Sequence, residues 1–474
     1  MSSSARCVRV VAALSACVLV VAACDGGAGS GGGSDGGSGG ASGVGDPYFP
    51  GAGNGGYDVS HYGLTLSYDP DGGRLTGSAV VTARATADLS AFRLDFVGME
   101  VAGVTVEGAA AEFRRDGQEL TVRPSDSLAE GETFEVAVRY SGSPRTVTDP
   151  DGSKEGWLRT EDGALALGEP VGSMAWFPGN HHPSDKASYD VAVTVPEGLT
   201  AVSNGELRSR KAAGGGRTTF FWRTAEPMAS YLATVAIGEF TVTGSTTGDG
   251  LPVYVAVDPT QVVASRAVLA RLPEVMEWAQ DNFGPYPFSS AGAIVDRPGD
   301  AAYALETQNR PVYPGAPDLP TLVHETAHQW FGDSVTPKSW RDMWLNEGFA
   351  TYAEWLWAED EGGATAEQTF TGLYEHGVEE YADLWDFPPA KPTSAAHVSD
   401  KPVYVRGAMV VHRIRQTVGD DAFYDIVQGW AAAHRHGNAD TKAFTAFVEK
   451  AAPDADFDGI WSDWLYGEGK PELP

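Results

Sequence analysis

At 474 residues the chain has room for about two or three domains with a large core. It carries 64 Asp+Glu against 33 Lys+Arg, a formal charge of −31, which argues against nucleic acid as a partner, because such binders rest on cationic contacts with phosphate. With 42% hydrophobic and 20% charged residues most of the chain is globular, and the acid excess serves either solubility or a positively charged substrate.

Arg6 and Arg9 precede Val10 to Ala23, fourteen residues in which only Ser15 is polar. That run is too short to span a membrane and fits a secretory signal over 1–23. It ends Val21-Ala22-Ala23-Cys24, and small residues before a cysteine resemble the bacterial lipobox. The resemblance implies acylation of Cys24 and anchoring at the outer face of the cell membrane; the alternative is ordinary cleavage near Ala23. Of the three cysteines, Cys7 and Cys17 would leave with the signal, so no disulfide is expected. Residues 26–45 hold twelve Gly and four Ser, a flexible tether within 24–46 with a reach of roughly 25 Å.

Residues 47–247 read as an all-β domain. Phe92, Leu94 and Phe96 alternate, as do Phe134, Val136, Val138 and Tyr140, with turn signals at Asp69-Pro70-Asp71-Gly72-Gly73 and Asp116-Gly117. Residues 248–474 change character. A helix is expected from Gln261 to Asn282, stopped by Gly284-Pro285. Short apolar runs at Ala291–Val295 and Ala301–Leu305 suggest a small sheet, and helices follow near 319–332, 342–359, 366–380, 403–417, 421–435 and 441–451.

The chemistry concentrates in His324-Glu325-Thr326-Ala327-His328. A spacing of four puts both histidines on one helical face, where they can share a Zn²⁺, with Glu325 beside them to take a proton from water. A catalytic zinc wants a third protein ligand. Glu347 in Trp344-Leu345-Asn346-Glu347-Gly348-Phe349-Ala350 follows eighteen residues after His328, and its aromatic flanks argue against a solvated carboxylate. Thr351 or Glu354, on the same face, could orient a zinc-bound histidine. His61, His181, His182, His376, His397, His412, His434 and His436 read as surface or packing residues.

H-E-x-x-H, eighteen residues, then E within N-E-G-F-A closely resembles the M1 family of zinc aminopeptidases. Trp176-Phe177-Pro178, Asp185-Lys186-Ala187, Val195-Pro196-Glu197-Gly198-Leu199, Val202-Ser203-Asn204-Gly205 and Phe283-Gly284-Pro285-Tyr286-Pro287-Phe288 extend the resemblance over nearly all of 47–474. It implies an α+β multidomain fold: an N-terminal saddle-like β sandwich, then a thermolysin-like, mostly α catalytic domain holding one Zn²⁺. It implies His324, His328 and Glu347 as ligands and Glu325 as general base. It implies Tyr404 as oxyanion donor, although alone that residue reads as a core aromatic at a helix start. The family's G-A-M-E-N strand is similar to Tyr303-Ala304-Leu305-Glu306-Thr307, so Glu306 would bind the substrate ammonium, joined by Glu169, nine residues before Pro178. The peptide would add to the strand ending near Glu306.

Tyr303, Leu305 and Thr307 depart from the family strand, as do Ala175-Trp176 and Pro178-Gly179-Asn180-His181 from its β-domain signatures. The chain is expected to lack the helical-repeat domain that closes over the site in many relatives. The expected function is removal of N-terminal residues from peptides with a free amine. A zinc endopeptidase of the same architecture, and a surface lipoprotein using the fold as a binding module, are the alternatives.

Overall fold

The computed structural model describes residues 38–376 and 382–473. The signal, Cys24, most of the tether and the far end of the helix expected at 366–380 lie outside the described residues.

Alternation makes the β part. In Tyr57–Asp69 the inward positions Tyr57, Val59, Tyr62, Leu64, Leu66 and Tyr68 are buried while their neighbours face out. This strand lies near the middle of an eight-stranded sheet, in the order 206–214, 217–229, 186–196, 57–69, 74–85, 133–142, 100–106 and 109–110. Strands 57–69 and 186–196 run parallel, and every other neighbour in that sheet is antiparallel. A five-stranded sheet, ordered 146–148, 154–159, 164–167, 235–238 and 200–203, packs toward the catalytic part. Its strand Ala164–Leu167 is buried on both faces and leads directly to Glu169.

The catalytic part opens with a four-stranded sheet, 241–246, 252–257, 291–295 and 312–313. The single helix expected at 261–282 is two, α1 (Val262–Leu269) and α2 (Leu272–Phe283). Pro273 explains the break: it lacks an N–H and fits only the first turn of a new helix. α2 ends where expected, at Gly284 with φ 92°. Ala301–Leu305 is not a strand. Leu305 bridges Val312 alone, across a turn that puts Asn309 at φ 72°, so Glu306 sits on a loop and not at a strand end.

Next come α3 (Leu319–Ala327), α4 (Trp344–Asp360), α5 (Ala366–Glu375), α6 (Gly407–Val418), α7 (Asp420–Ala433) and α8 (Thr441–Ala451). α3 stops at Ala327, short of the expected 332: the Gln329 and Trp330 N–H groups bond only three residues back, to Thr326 and Ala327, and Gly332, at φ 130°, then turns the chain. A π-helical turn, Pro402–Arg406, precedes α6. Among the described residues no helix is long and apolar enough to cross a membrane.

Buried polar groups stitch the two parts together. The Arg310 guanidinium donates to the carbonyls of Ser203 (2.5 Å) and Gly205 (2.6 Å). Asn204 Nδ2 donates to the carbonyls of Leu232 and Gln308, and Lys186 Nζ to those of Asp333 and Ser334. The chain enters as a strap. Asp46 accepts from the N–H groups of Tyr48 and Phe49 with one oxygen, and from Ser339 Oγ and the Trp340 N–H with the other.

Candidate metal centre and active-site cavity

α3 is started by Asp318, whose side chain accepts from the Thr321 N–H at 2.9 Å, and by Pro320 in its first turn. One turn apart, His324 and His328 bring their ring centroids to 4.7 Å. α4 crosses α3 and presents Glu347 from its own first turn. Glu347 Oε2 lies 3.3 Å from His324 Nε2 and 3.4 Å from His328 Nε2. The position of α4 against α6 depends on two glycines. A Cβ on Gly348 would stand 2.8 Å from the carbonyl carbon of Gly407, so α4 can meet the start of α6 only backbone to backbone.

Both outer imidazole nitrogens are occupied. His324 Nδ1 donates to Glu354 Oε1 at 2.7 Å, and His328 Nδ1 to the Phe331 carbonyl at 3.0 Å. Of the two residues able to orient a histidine, it is Glu354 that reaches His324. The Phe331 carbonyl has no side-chain signature; the one hint of it is Gly332, at φ 130°, which turns the chain just after it. With both Nδ1 atoms engaged outward, the two Nε2 atoms and a carboxylate oxygen converge, each Nε2 within 3.4 Å of Glu347 Oε2.

That donor set fits Zn²⁺, which takes imidazole and carboxylate ligands and leaves a fourth position open at catalytic sites. Two more carboxylate-rich groups overlap it, Glu306–Glu325–His328 and Glu169–Glu306–Glu347, but only His324, His328 and Glu347 offer two imidazoles. The electrostatics ask for a cation. Burial opposes charge on His328, yet Glu347 and Glu306 outweigh it and push the imidazole up to about 9. Burial is likewise outweighed at Glu347, which His328 and His324 pull down to about 2.

Around this centre lies a cavity of about 400 Å³, lined among others by Glu169, Glu306, Glu325 and Tyr404. Glu325 Oε2 and Glu306 Oε1 are buried without a hydrogen-bond partner, as is Glu169 Oε1. Burial raises Glu325 to about 7, against the charges of His324 and His328. Glu169 is held well above its usual range by burial and then by Glu306, and burial raises Glu306 too. The Tyr404 ring stacks on His324, 12° from parallel with centroids 6.1 Å apart, and burial keeps its phenol protonated. All eight sequence-derived positions except Cys24, which lies outside the described residues, therefore meet in or beside one cavity. Sequence reading missed Phe49, Asp149 and Trp340 in its wall. The remaining histidines lie elsewhere, His181 and His182 buried in the β part and His412 between Tyr352 and Glu367.

The profile of the Peptidase family M1 domain matches residues 318–464, and that of the Peptidase M1 N-terminal domain matches 58–232. Aminopeptidase M1-A of Oryza sativa is 26% identical over 466 residues, covering 86% of this chain and 50% of its own length. Glutamyl aminopeptidase of Bos taurus is 25% identical over 405 residues, covering 76% and 42%. The chain thus spans about half the length of the curated relatives it matches. The M1 zinc metallopeptidase of Deinococcus radiodurans, solved with a Tyr-Ser-Ala substrate, superposes with a TM-score of 0.82 at 29% identity, covering 91% of this chain and 99% of that one. With profiles matching both its β part and its catalytic part, the chain belongs to peptidase family M1.

Proposed function

We propose that this protein is a zinc-dependent aminopeptidase. The observation that carries the reading is the convergence of two imidazole nitrogens and Glu347 beside an unpaired, buried Glu325, facing a second pair of unpaired carboxylates, Glu169 and Glu306. His324, His328 and Glu347 would hold one Zn²⁺ per chain, which when bound supplies a Lewis acid for the scissile carbonyl and lowers the pKa of water.

Glu325 Oε2 takes the proton of the attacking water and passes it to the departing nitrogen. A carboxyl poised near neutrality suits both transfers. The Tyr404 hydroxyl donates to the carbonyl oxygen as it gains negative charge. Glu354 and the Phe331 carbonyl hold the imidazoles in the tautomer that keeps Nε2 free. Glu169 and Glu306 accept from the substrate ammonium. Two buried carboxylates that lack a cation take up a free N-terminus and penalise a blocked one, which leaves them unpaired. Register is thereby set one residue from the end, so cleavage removes residues singly.

A pair of aminoacyl reporters, free and N-acetylated, tests this with and without chelator. Turnover of the free form should exceed that of the acetylated form at least tenfold and vanish with the metal. A ratio near one replaces this reading with an endopeptidase; no turnover of either form leaves the binding-module alternative.

The signal-like run and Val21-Ala22-Ala23-Cys24 support an acylated Cys24 that holds the enzyme at the outer face of the membrane. Cys24→Ser should move the protein out of the membrane fraction or leave it unprocessed. Wild type found only in the soluble fraction, with no acyl mass on the peptide beginning at Cys24, rejects the anchor.

A further inference from the structure

One wall of the cavity has no part in the chemistry above. Strands Thr146–Thr148 and Lys154–Arg159 form a hairpin whose tip, 149–153, reaches the cavity. The tip is rigid. The Asp149 N–H donates to the Ser153 carbonyl at 3.0 Å, and the Gly152 N–H to the Asp149 carbonyl at 2.9 Å. The Asp151 side chain is engaged as well, accepting from the Ser153 N–H at 2.8 Å.

Asp149 is different. It is only 7% exposed and lines the cavity, and its carboxyl accepts from Ser153 Oγ at 3.5 Å and from the Glu155 carboxyl, neither of which brings a positive charge. Beside it Glu155 is fully buried and accepts from the Val171 N–H at 3.1 Å. Burial holds Glu155 protonated, whereas Asp149, raised by burial and held down by its hydrogen bond to Glu155, reaches only about 6, so this pair presents one negative charge at neutral pH. Among the described residues that line the cavity none is Lys or Arg, and the two histidines there belong to the metal centre. A nearly buried carboxylate without a cation is costly, and a ligand that brings one relieves that cost.

The hairpin also stands on the amine-binding side. Gly156 pairs with Leu167, two residues before Glu169, and the Val171 N–H that binds Glu155 lies two residues after it. The Tyr303 phenol sits in the field of Glu155, Glu169, Asp149 and Glu306 and lies 3.4 Å from the Glu169 carbonyl. A peptide whose ammonium is held by Glu169 and Glu306 carries its first side chain from the atom next to that ammonium, so this side chain is the one within reach of the hairpin.

We propose that Asp149 is the counter-charge for a cationic first side chain, so that the enzyme prefers peptides beginning with arginine or lysine. The inference rests on the aminopeptidase reading and narrows its substrate class. It gives the acid excess of the sequence a local use: of the two readings of that charge, a positively charged substrate is the one this wall serves. Asp151, exposed at the lip of the hairpin, adds charge of the same sign.

The test compares three free-amine reporters on the full chain: arginine, its neutral isostere citrulline, and leucine. Arginine and citrulline share a stem, so their ratio isolates charge. Wild type should favour arginine over citrulline by about tenfold or more in kcat/KM, the effect of one charge-assisted contact, and chiefly through KM. In Asp149→Asn the arginine reporter should fall to the citrulline level. The wild-type comparison needs no variant, so it decides even if Asp149→Asn fails to fold. Wild type that cleaves leucine yet treats arginine and citrulline alike overturns the inference and leaves the aminopeptidase standing. So does a folded Asp149→Asn that keeps the full preference. Equal cleavage of free and acetylated leucine overturns the aminopeptidase reading and the inference with it.

Discussion

Glu325 and Glu347 are both buried carboxylates beside the same imidazoles, yet their surroundings assign them opposite work. Glu347 Oε2 faces both Nε2 atoms within 3.4 Å, where its charge is compensated. Glu325 Oε2 faces the cavity without a partner. Glu347→Ala should therefore drop zinc content well below one per chain, because two histidines alone form a weak site. Glu325→Ala should keep its zinc and lose turnover. Metal analysis of both variants separates the roles, and full zinc in Glu347→Ala removes that residue from the ligand set. The two histidines and Glu347 are legible in the sequence because ligand spacing on a helix is a local property. The choice of Glu354 over Thr351 is not: both lie on one face of α4, and only the crossing of α4 with α3 decides which reaches His324.

The packing of α4 on the start of α6 carries the energetics at the scale of the element. Gly348 and Gly407 touch because neither has a side chain, and the contact joins residues 59 positions apart, beyond any local pattern. Gly348→Ala puts a methyl against backbone that cannot yield, so α4 must tilt or slide. Overpacking of this kind costs about 1–3 kcal/mol, and a tilt of α4 carries Glu347 with it. Expected together are a lower denaturation midpoint and weaker zinc retention under chelator competition. Loss of stability with native zinc affinity would mean that Glu347 is held by something other than this packing. Helices with uninterrupted periodicity, such as α8, start and stop as the sequence suggests. Errors gather where a single residue redirects the chain, at Pro273 between α1 and α2, at Gly332 after α3, and at Asn309, whose positive φ folds the expected strand back into a loop. That fold-back is also what brings Arg310 under the carbonyls of Ser203 and Gly205, a long-range contact with no local trace.

For the whole molecule, acid is the informative perturbation. His181 is 2% exposed, hydrogen-bonded to Ser230 Oγ and the Phe177 carbonyl, and burial lowers its pKa from 6.5 to about 4. Its neutral form is the native one, so its contribution is fully present above pH 6.5 and lost as pH falls through about 4. A shift of that size corresponds to about 3 kcal/mol. Urea midpoints of wild type should decline across that window, and His181→Gln, less stable at pH 7, should show a shallower decline there. Parallel declines would place the acid sensitivity in other groups. Acid that loosens the β part also reaches the cavity, because the two parts share buried contacts and the strap. Asp46 clamps that strap against Ser339 and Trp340, and three residues further on Phe49 forms part of the cavity wall, its ring 5.9 Å from that of Trp340. The clamp gives the fold a mechanical polarity. Tension applied from the N-terminal side is met first by the pairing of Ser38–Gly39 with strand 89–95 and by the Gly40 and Gly43 N–H bonds to the Ala91 and Gly53 carbonyls, then by Asp46, and Phe49 feels none of it until both have ruptured. Drag on a molecule held by that end would thus leave the cavity's shape undisturbed up to the combined strength of that edge pairing and the Asp46 grip.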